Sequence, residues 1–423
     1  MSFATGRSTM STFARWRAVI GAVLAFGVTV AHADSITFDQ AVARAARRPS
    51  VAIAGTDVEA ARGEADGARR PIYNPEVGVA AGPRFGGGKT LLEVQVSLAQ
   101  TIELGGKGQA RRDAAAARVT AAEAELARAV YDARVEVWRT FQRALVARTR
   151  VEGTRETEAL ATQLVAASSD RQALGAGTQL QINLANLEVA RARHERVDAE
   201  NAYETALAEL GTSIGAGPGE RLEPSGELPV LPEATTDEAA MVARALAERP
   251  DLAVARAEVA AARADVRLAD ALSRPDLTAS LSYGYEQDLD TDFHAVLGGL
   301  SISLPVRNRN QGARAAARAR SHRAELEQGR RMTEAEREMR TAVRTYVRAR
   351  DAVLGFDREI NARLHDNLEL ARQSFEAGKI DYFEFTVVRR ELVSNQLAYL
   401  DAVNEAIDAW TAIQRAAGKE GAR

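Results

Sequence analysis

Residues 274–317 read RPDLTASLSYGYEQDLDTDFHAVLGGLSISLPVRNRNQGARAAA. Within them Leu277, Ala279, Leu281, Tyr283 and Tyr285 alternate with Thr278, Ser280, Ser282 and Gly284, the period of two of a strand with one apolar and one wet face. A polar loop over 288–294 follows, a second strand returns, and an Ala/Arg-rich run takes up a helical period from Gly312. The stretch predicts a β-hairpin that opens directly into a long helix. The same plan occurs in the first half: NPEVGVAAGP at 74–83, a glycine loop PRFGGGKT at 83–90, then LLEVQVSLAQTIELGGKGQARRDAAAARV at 91–119. There Leu92, Val94, Val96 and Leu98 alternate with Glu93, Gln95, Ser97 and Ala99. A plan that recurs along a chain marks one structural unit per copy.

Landmarks pair the two halves: Arg48-Pro49 with Arg249-Pro250, Asn74-Pro75-Glu76 with Arg274-Pro275-Asp276, and Gly177 with Gly378. Around each hairpin the spacing predicts helices. The first half has 38–70, opened by a Thr37/Gln40 capping box and ended by Pro71 and Asn74-Pro75, then 108–174 and 178–210. The second half has 238–272, 312–377 and a last helix ending near 417. In each half the two shorter helices together match the long one, which at 1.5 Å per residue runs roughly 100 Å, so the short pair stacks end to end beside it as a two-helix rod. Met332, Ala335, Met339, Ala342, Tyr346, Ala349, Val353, Phe356 and Ile360 step by three and four, the seam of a left-handed coiled coil. Ile360, Leu364 and Leu368 then step by four, a stutter that unwinds it. The expected organisation is a signal peptide over 1–33, repeats over 34–215 and 238–418, a Pro/Gly-rich connector over 216–237, and a tail over 419–423.

The chain has 423 residues, no cysteine and a net charge of −3. This composition leaves no disulfide framework or thiolate metal site, and no concentrated basic face for nucleic acid. Arg15 and Arg17 precede an apolar run over 18–30 and Ala31-His32-Ala33, the pattern of a signal-peptidase site, so cleavage is expected between Ala33 and Asp34, with Met1 or Met10 as initiator. No later segment reaches the roughly eighteen apolar residues of a membrane helix, so entry into a membrane must be by strands. Two hairpins give about four long strands, and even the smallest membrane barrels have about eight. Three copies would supply about twelve, which makes symmetric assembly the economical closure.

The signal peptide, the duplicated helix, hairpin, long helix, short helix plan, QTIELGGKGQAR in the first copy and LPVRNRNQG in the second together resemble the TolC-type outer-membrane efflux channels, and among them the CzcC-like heavy-metal subgroup. The resemblance covers the mature chain. It implies a mostly α fold with membrane β: a homotrimer with a 12-stranded β-barrel in outer-membrane lipid, continuous with a long periplasmic α-helical barrel. It also implies docking to a periplasmic adaptor (a membrane fusion protein) and a proton-driven inner-membrane RND pump; no cofactor is expected, and the residues themselves offer no nucleophile elbow, metal-ligand cluster or isolated carboxylate pair of a catalytic set. The expected role is export of divalent cations of the cobalt, zinc and cadmium class. The rivals are a duct for drugs or secreted polypeptides, and a periplasmic coiled-coil adaptor.

By the same resemblance the helical turns at Gly175, Gly177 and Gly378 are the periplasmic gate. Asp381 and Glu384 would ring the axis with carboxylates, and Asn183 stands where the first copy matches Glu384. Gly108, Pro305 and Gly312 mark the strand-to-helix junctions. Arg307, Arg309 and Arg314 lie there too, suited either to lipid phosphates or to helix carbonyls. PRFGGGKT lacks the first glycine of a phosphate loop and precedes a strand, so it reads as an outer surface loop. His194, His294, His322 and His365 have no ligand-spaced partners, and no resident metal site is expected. Glu334, Glu336 and Glu338 interleave with arginines as on solvated helix faces.

Overall fold

The computed structural model describes residues 34–86, 89–233, 237–286, 291–356 and 364–418. Ala33 lies outside them, and Asp34 opens the first element. In order these are β1 (Asp34–Ile36), α1 (Phe38–Ala45), α2 (Pro49–Ala68), β2 (Glu76–Gly86), β3 (Lys89–Glu103), α3 (Lys107–Ala173), α4 (Gln179–Ile214) and β4 (Leu222–Pro224). The second half gives α5 (Glu238–Glu248), α6 (Pro250–Ala271), β5 (Asp276–Glu286), β6 (Phe293–Ile302), α7 (Gln311–Gly355), α8 (Leu364–Glu376) and α9 (Tyr382–Ala417). No described helix is long and apolar enough to cross a membrane. The two hairpins join into one four-stranded antiparallel sheet in the order β2-β3-β5-β6.

Helix α3, 67 residues and about 100 Å long, is the spine of the first half, with α2 packed along one part of it and α4 along another. Helix α7 plays the same part for α6, α5 and α9, and α3 also touches α6 and α9, so the rods lie side by side. The thickest packing is midway along the helices. There Ile36, Ala41, Ala45, Ala133, Val137, Phe141, Leu145, Leu210 and Ile214 form one core. Met339, Ala342, Val343, Tyr346, Trp410, Ile413 and Val242 form its counterpart. The seam read on α7 holds from Ala335 through Val353, whereas Met332 is exposed.

Four expectations change. The helices over 38–70 and 238–272 are each broken, because the residue before a proline is pushed out of the α region and proline suits the first helical position. Arg48 sits at ψ 153° and Arg249 at ψ 128°, directly before Pro49 and Pro250. The helix over 312–377 stops at Gly355, where Phe356 turns extended at ψ 116°. Ile360 is outside the described residues, as are the side chains of Leu364 and Leu368, so the stutter is too. Third, the stretch over 216–237 is not only connector: β4 pairs in parallel with β1, Asp34 opposite Leu222 and Ile36 opposite Pro224. Fourth, PRFGGGKT is mostly strand. Pro83 to Gly86 belong to β2, Lys89 and Thr90 to β3, and only Gly87 and Gly88, outside the described residues, separate them.

Both breaks are sealed by the end of their own half. Gly215 caps α4 beside Arg48, and Gly418 caps α9 beside Arg249, both left-handed. At Gly418 an added Cβ would lie 2.3 Å from Arg249 Cα, so no side chain fits without moving backbone. Arg249 in turn bridges Asp251 and Glu338, each at 2.7 Å. Burial pushes the Asp251 carboxyl up, but the Arg249 hydrogen bonds and charge outweigh it and hold it below the usual carboxylate range. A carboxyl depressed in the folded state adds stability that is complete above its unfolded pKa of about 3.9 and is lost as pH falls through the lower folded value. Asp251→Asn should therefore melt lower than the parent at pH 5–7, and the gap should narrow as the pH is brought below about 3.5. Melting curves in detergent across that range check it, and a gap that widens in acid would refute it.

Candidate functional site

The sheet is the first part of the site. Its register lays Val77, Leu98, Leu281 and Gly298 in one row, Val79, Val96, Tyr283 and Val296 in the next, and Ala81, Val94, Tyr285 and His294 in a third. Directly opposed residues share a face, so this face is apolar apart from Gln100, opposite Ala279, and His294. It is also bare: Val77 is 73% exposed, Val79 71% and Leu300 76%. The other face carries Ser97 with Ser282, Gln95 with Gly284, Glu93 with Glu286, and Thr101 with Thr278, whose hydroxyls are 2.9 Å apart. From Ile102 to Leu92 the apolar face advances ten residues, about 34 Å along the strand and about 26 Å along a membrane normal at a 40° tilt, close to the apolar band of an outer-membrane barrel. Near the end of that band Tyr283 and Tyr285 flank His294, with Tyr283 Oη 2.6 Å from His294 Nδ1.

The second part is the junction of sheet and helices. Glu103 and Asp276 are opposed at the base of β3 and β5, an acidic pair that α3 neutralises. Lys107 Nζ donates to Asp276 at 2.7 Å and Arg111 to Glu103 at 2.7 Å. Lys107 is 5% exposed. Sequence reasoning passed over it because one lysine at a helix start has no pattern. Gly106 and Asn310 hold matching left-handed positions before α3 and α7, so Gly108 and Gly312 sit in first turns, while Pro305 lies in the link from β6 to α7. Arg314 pairs with Asp270 at 2.6 Å. Arg307 has no ion-pair partner among the described residues.

The third part is the far end of the helices, where α3 turns into α4 and α8 into α9. The two turns are built alike. Ala176 N–H donates to Arg171 O at 2.8 Å over left-handed Gly175, and Lys379 N–H to Ser374 O at 2.9 Å over left-handed Gly378. Each next helix opens three residues later with a capping box, Thr178 with Gln181 and Asp381 with Glu384. This corrects two equivalences. Gly378 matches Gly175, not Gly177, and Glu384 matches Gln181, not Asn183. Gly177 has its own reason: an added Cβ would sit 3.0 Å from Gln172 N. Asn183 is exposed and accepts from Gln179 at 3.2 Å. Asp381 and Glu384 are exposed, but each also accepts a backbone N–H of the other, at 2.8 and 2.9 Å.

The turns are fastened together. Arg171 donates to Phe375 O at 3.0 Å with its guanidinium 4.9 Å from the Phe375 ring. Phe375, Phe385 and Tyr382 pack with Leu164 and Ala185, and burial pushes the Tyr382 phenol up. One and a half to three turns further in, Glu188 of α4 is ion-paired with Arg389 of α9, both buried, with Arg191 3.1 Å and Arg390 3.5 Å from the same carboxylate. The sequence hid this pair, since Glu188 and Arg389 lie in runs that read as solvated faces. Among the described residues no group of three or more His, Cys, Asp or Glu could hold a metal ion. His194 lies 3.5 Å from Asp198 on an exposed helix face, and the His365 side chain is outside the described residues.

A four-stranded sheet with a bare apolar face of membrane height, carried on helical rods that end in a locked double turn, defines a subunit of an outer-membrane duct. The outer membrane efflux protein family matches residues 42–216 and 241–419, and the chain belongs to that family. Its members are outer-membrane transport channels, not enzymes, and work with a periplasmic adaptor and an inner-membrane pump in tripartite efflux. Cobalt-zinc-cadmium resistance protein CzcC of Cupriavidus metallidurans is 28% identical over 358 residues, 83% of this chain and 82% of that protein. Pyoverdine export outer membrane protein OpmQ of Pseudomonas aeruginosa is 32% identical over 222 residues, 50% of this chain and 44% of its own. Among solved structures, the outer-membrane channel OprN superposes with TM-score 0.69 at 21% identity, covering 90% of this chain and 89% of that one. CusC does so with TM-score 0.67 at 18% identity, covering 90% and 92%. The fold is theirs.

Proposed function

We propose that this protein is the channel of a tripartite RND-type system that exports divalent heavy-metal cations of the cobalt, zinc and cadmium class, working as a homotrimer. The observation that carries the substrate class is the likeness to CzcC, which runs through both repeats rather than one. The repeats over 34–215 and 238–418 form the two halves of each subunit, with 216–237 between them. The double turn bearing Gly175, Gly177, Asn183, Gly378, Asp381 and Glu384 is its periplasmic gate. Exposed Phe383, Val387 and Leu174 there suit contact with neighbouring copies or with the adaptor.

Deleting the gene should lower tolerance to zinc, cobalt and cadmium and leave drug tolerance unchanged, with tolerance restored by the intact gene. Unchanged metal tolerance would overturn the substrate class. Drug sensitivity alone would favour a duct for larger molecules, the reading to which the partial likeness to OpmQ points.

A further inference from the structure

The sheet ends on both sides in an unpaired strand edge, the outer edge of β2 and the outer edge of β6. Inside lipid such edges cannot stay open, because their N–H and C=O groups have no water to bond. The internal repeat states how they close. Adding 200 to β2 and 204 to β3 carries the pair Gly86 and Lys89 onto Glu286 and Phe293, and Glu76 and Ala99 onto Asp276 and Ser303, the pairs found in the second hairpin. The same shifts applied to the β3–β5 ladder, where Glu103 faces Asp276 and Ser97 faces Ser282, give the contact between the last strand of one copy and the first strand of the next.

We infer that β6 of each copy pairs antiparallel with β2 of the next in a single register, with Ser301 opposite Gly82 of the partner subunit and Arg307 opposite Glu76 of the partner subunit. This rests on the homotrimer proposed above and adds to it the residues that meet.

Four independent features agree with that register. First, β3 spans 15 residues but β6 only 10. Beyond Ala99, β3 is held by β5 alone; the matching stretch after β6, 303–307, has no such neighbour in a single copy and is not strand there, with Val306 N–H turned back onto Leu304 O at 2.9 Å and Leu304 and Val306 71% and 70% exposed, so the pairing requires it to straighten. Second, the faces match: Ile302, Leu304 and Val306 fall opposite the partner's Ala81, the partner's Val79 and the partner's Val77, and open Gly298 falls under the partner's Phe85, itself 76% exposed here. Third, the donors match. Ser303 N–H points to Asp276 O at 3.3 Å, so in a strand continued past Ile302 alternate residues from Leu304 would point outward, once Val306 N–H is released from Leu304 O. Pro305, which has no N–H, faces the side where β5 has not begun, and Pro83 leaves the one gap in the new ladder.

Fourth, the charges match. Within the chain the opposed acids Glu103 and Asp276 are neutralised by Lys107 and Arg111 of α3. On α7 the corresponding places hold Gln311 and Ala315, with no cation. The segment that follows β6 supplies it: with that segment extended, Arg307 takes the place of Glu103, opposite Glu76 of the partner subunit. Neither residue has an ion-pair partner among the described residues of its own chain.

The chain has no cysteine, so cross-linking tests this directly in the full-length protein in its membrane. Ser301→Cys with Gly82→Cys should give disulfide-linked dimers and trimers on non-reducing gels. Slipping by two, Ser301→Cys with Ala80→Cys or with Arg84→Cys, should give about tenfold less, because diagonal Cβ atoms lie roughly 7–8 Å apart against the roughly 3.5–4.5 Å a disulfide needs. Native mass of the detergent-solubilised parent separates the two layers. A trimer mass with stronger cross-linking in a slipped pair overturns the register and leaves the trimer, and a monomer mass overturns both. Arg307→Glu and Glu76→Arg should each weaken the trimer's resistance to detergent dissociation, and the double exchange should restore it. Failure of that restoration in a folded trimer would overturn the ion pair.

Discussion

Glu188→Ala is expected to loosen the periplasmic tip without unfolding the rest of the molecule. Glu188 and Arg389 have side chains 9% and 7% exposed, and they tie α4 of the first repeat to α9 of the second. Removing one member of a buried pair strands the other charge in a poorly solvated place, which costs about 3–5 kcal/mol. Arg389 is badly placed to recover, since its Nε is already buried without a partner. Local opening of the tip should become easier by that amount, which corresponds to a rise of roughly 10²- to 4 × 10³-fold in amide exchange. The rise should be confined to 164–192 and 371–397. Replacing both residues by leucine should return most of the protection, because two apolar side chains of similar volume need no counter-charge. Hydrogen exchange followed by mass spectrometry checks both variants. Unchanged exchange in Glu188→Ala would show that Arg191 and Arg390 make the tip rigid without it. In a planar bilayer the same variant should open more often than the parent, if the tip is the gate proposed above.

How much of this was legible beforehand depends on the range of the interaction. The hairpins were legible because a sheet with two different faces writes a period of two into the chain, from Leu277 to Tyr285 and from Leu92 to Leu98. The capping box at Thr37 was legible because all its partners lie within four residues. The proline breaks were visible as Arg48-Pro49 and Arg249-Pro250, yet the helical period on either side runs through them, and only the kink geometry shows that two helices meet there. The tip shows a finer limit. With Gly175 and Gly177 two residues apart, composition alone gives no reason to match Gly378 to either, and it takes the sign of φ to decide for Gly175. Strands as short as β1 and β4 carry no period at all. Glu188, Arg389 and Lys107 were opaque for another reason. Each is buried by a segment far away in the chain, and an isolated charge in an Ala/Arg/Glu helix looks the same whether it faces water or a distant partner.

Trp410→Ala is expected to cost about 3–5 kcal/mol, the usual range for emptying the site of a large buried aromatic, and to act where the tip does not. Trp410 of α9 is 6% exposed and lies with its ring centroid 4.9 Å from that of Tyr346 on α7. Tyr346 is itself pinned by a hydrogen bond from its hydroxyl to Pro232 O at 2.5 Å, and burial pushes its phenol up to about 12. The pair thus fastens α7, α9 and the chain near β4 at the level where α5 docks. Trp410→Phe keeps a ring against Tyr346 and should recover at least half of the loss, whereas Tyr346→Phe loses only the hydrogen bond and should cost about 1 kcal/mol. Trp410 lies 28 residues along α9 from Tyr382, about 42 Å from the tip. A lowered thermal midpoint with parental exchange over 371–397 would therefore separate the packing of the helical rods from the closure of their ends. Loss of tip protection in Trp410→Ala, equal to that in Glu188→Ala, would mean instead that α9 transmits strain along its whole length and that the two levels open as one unit.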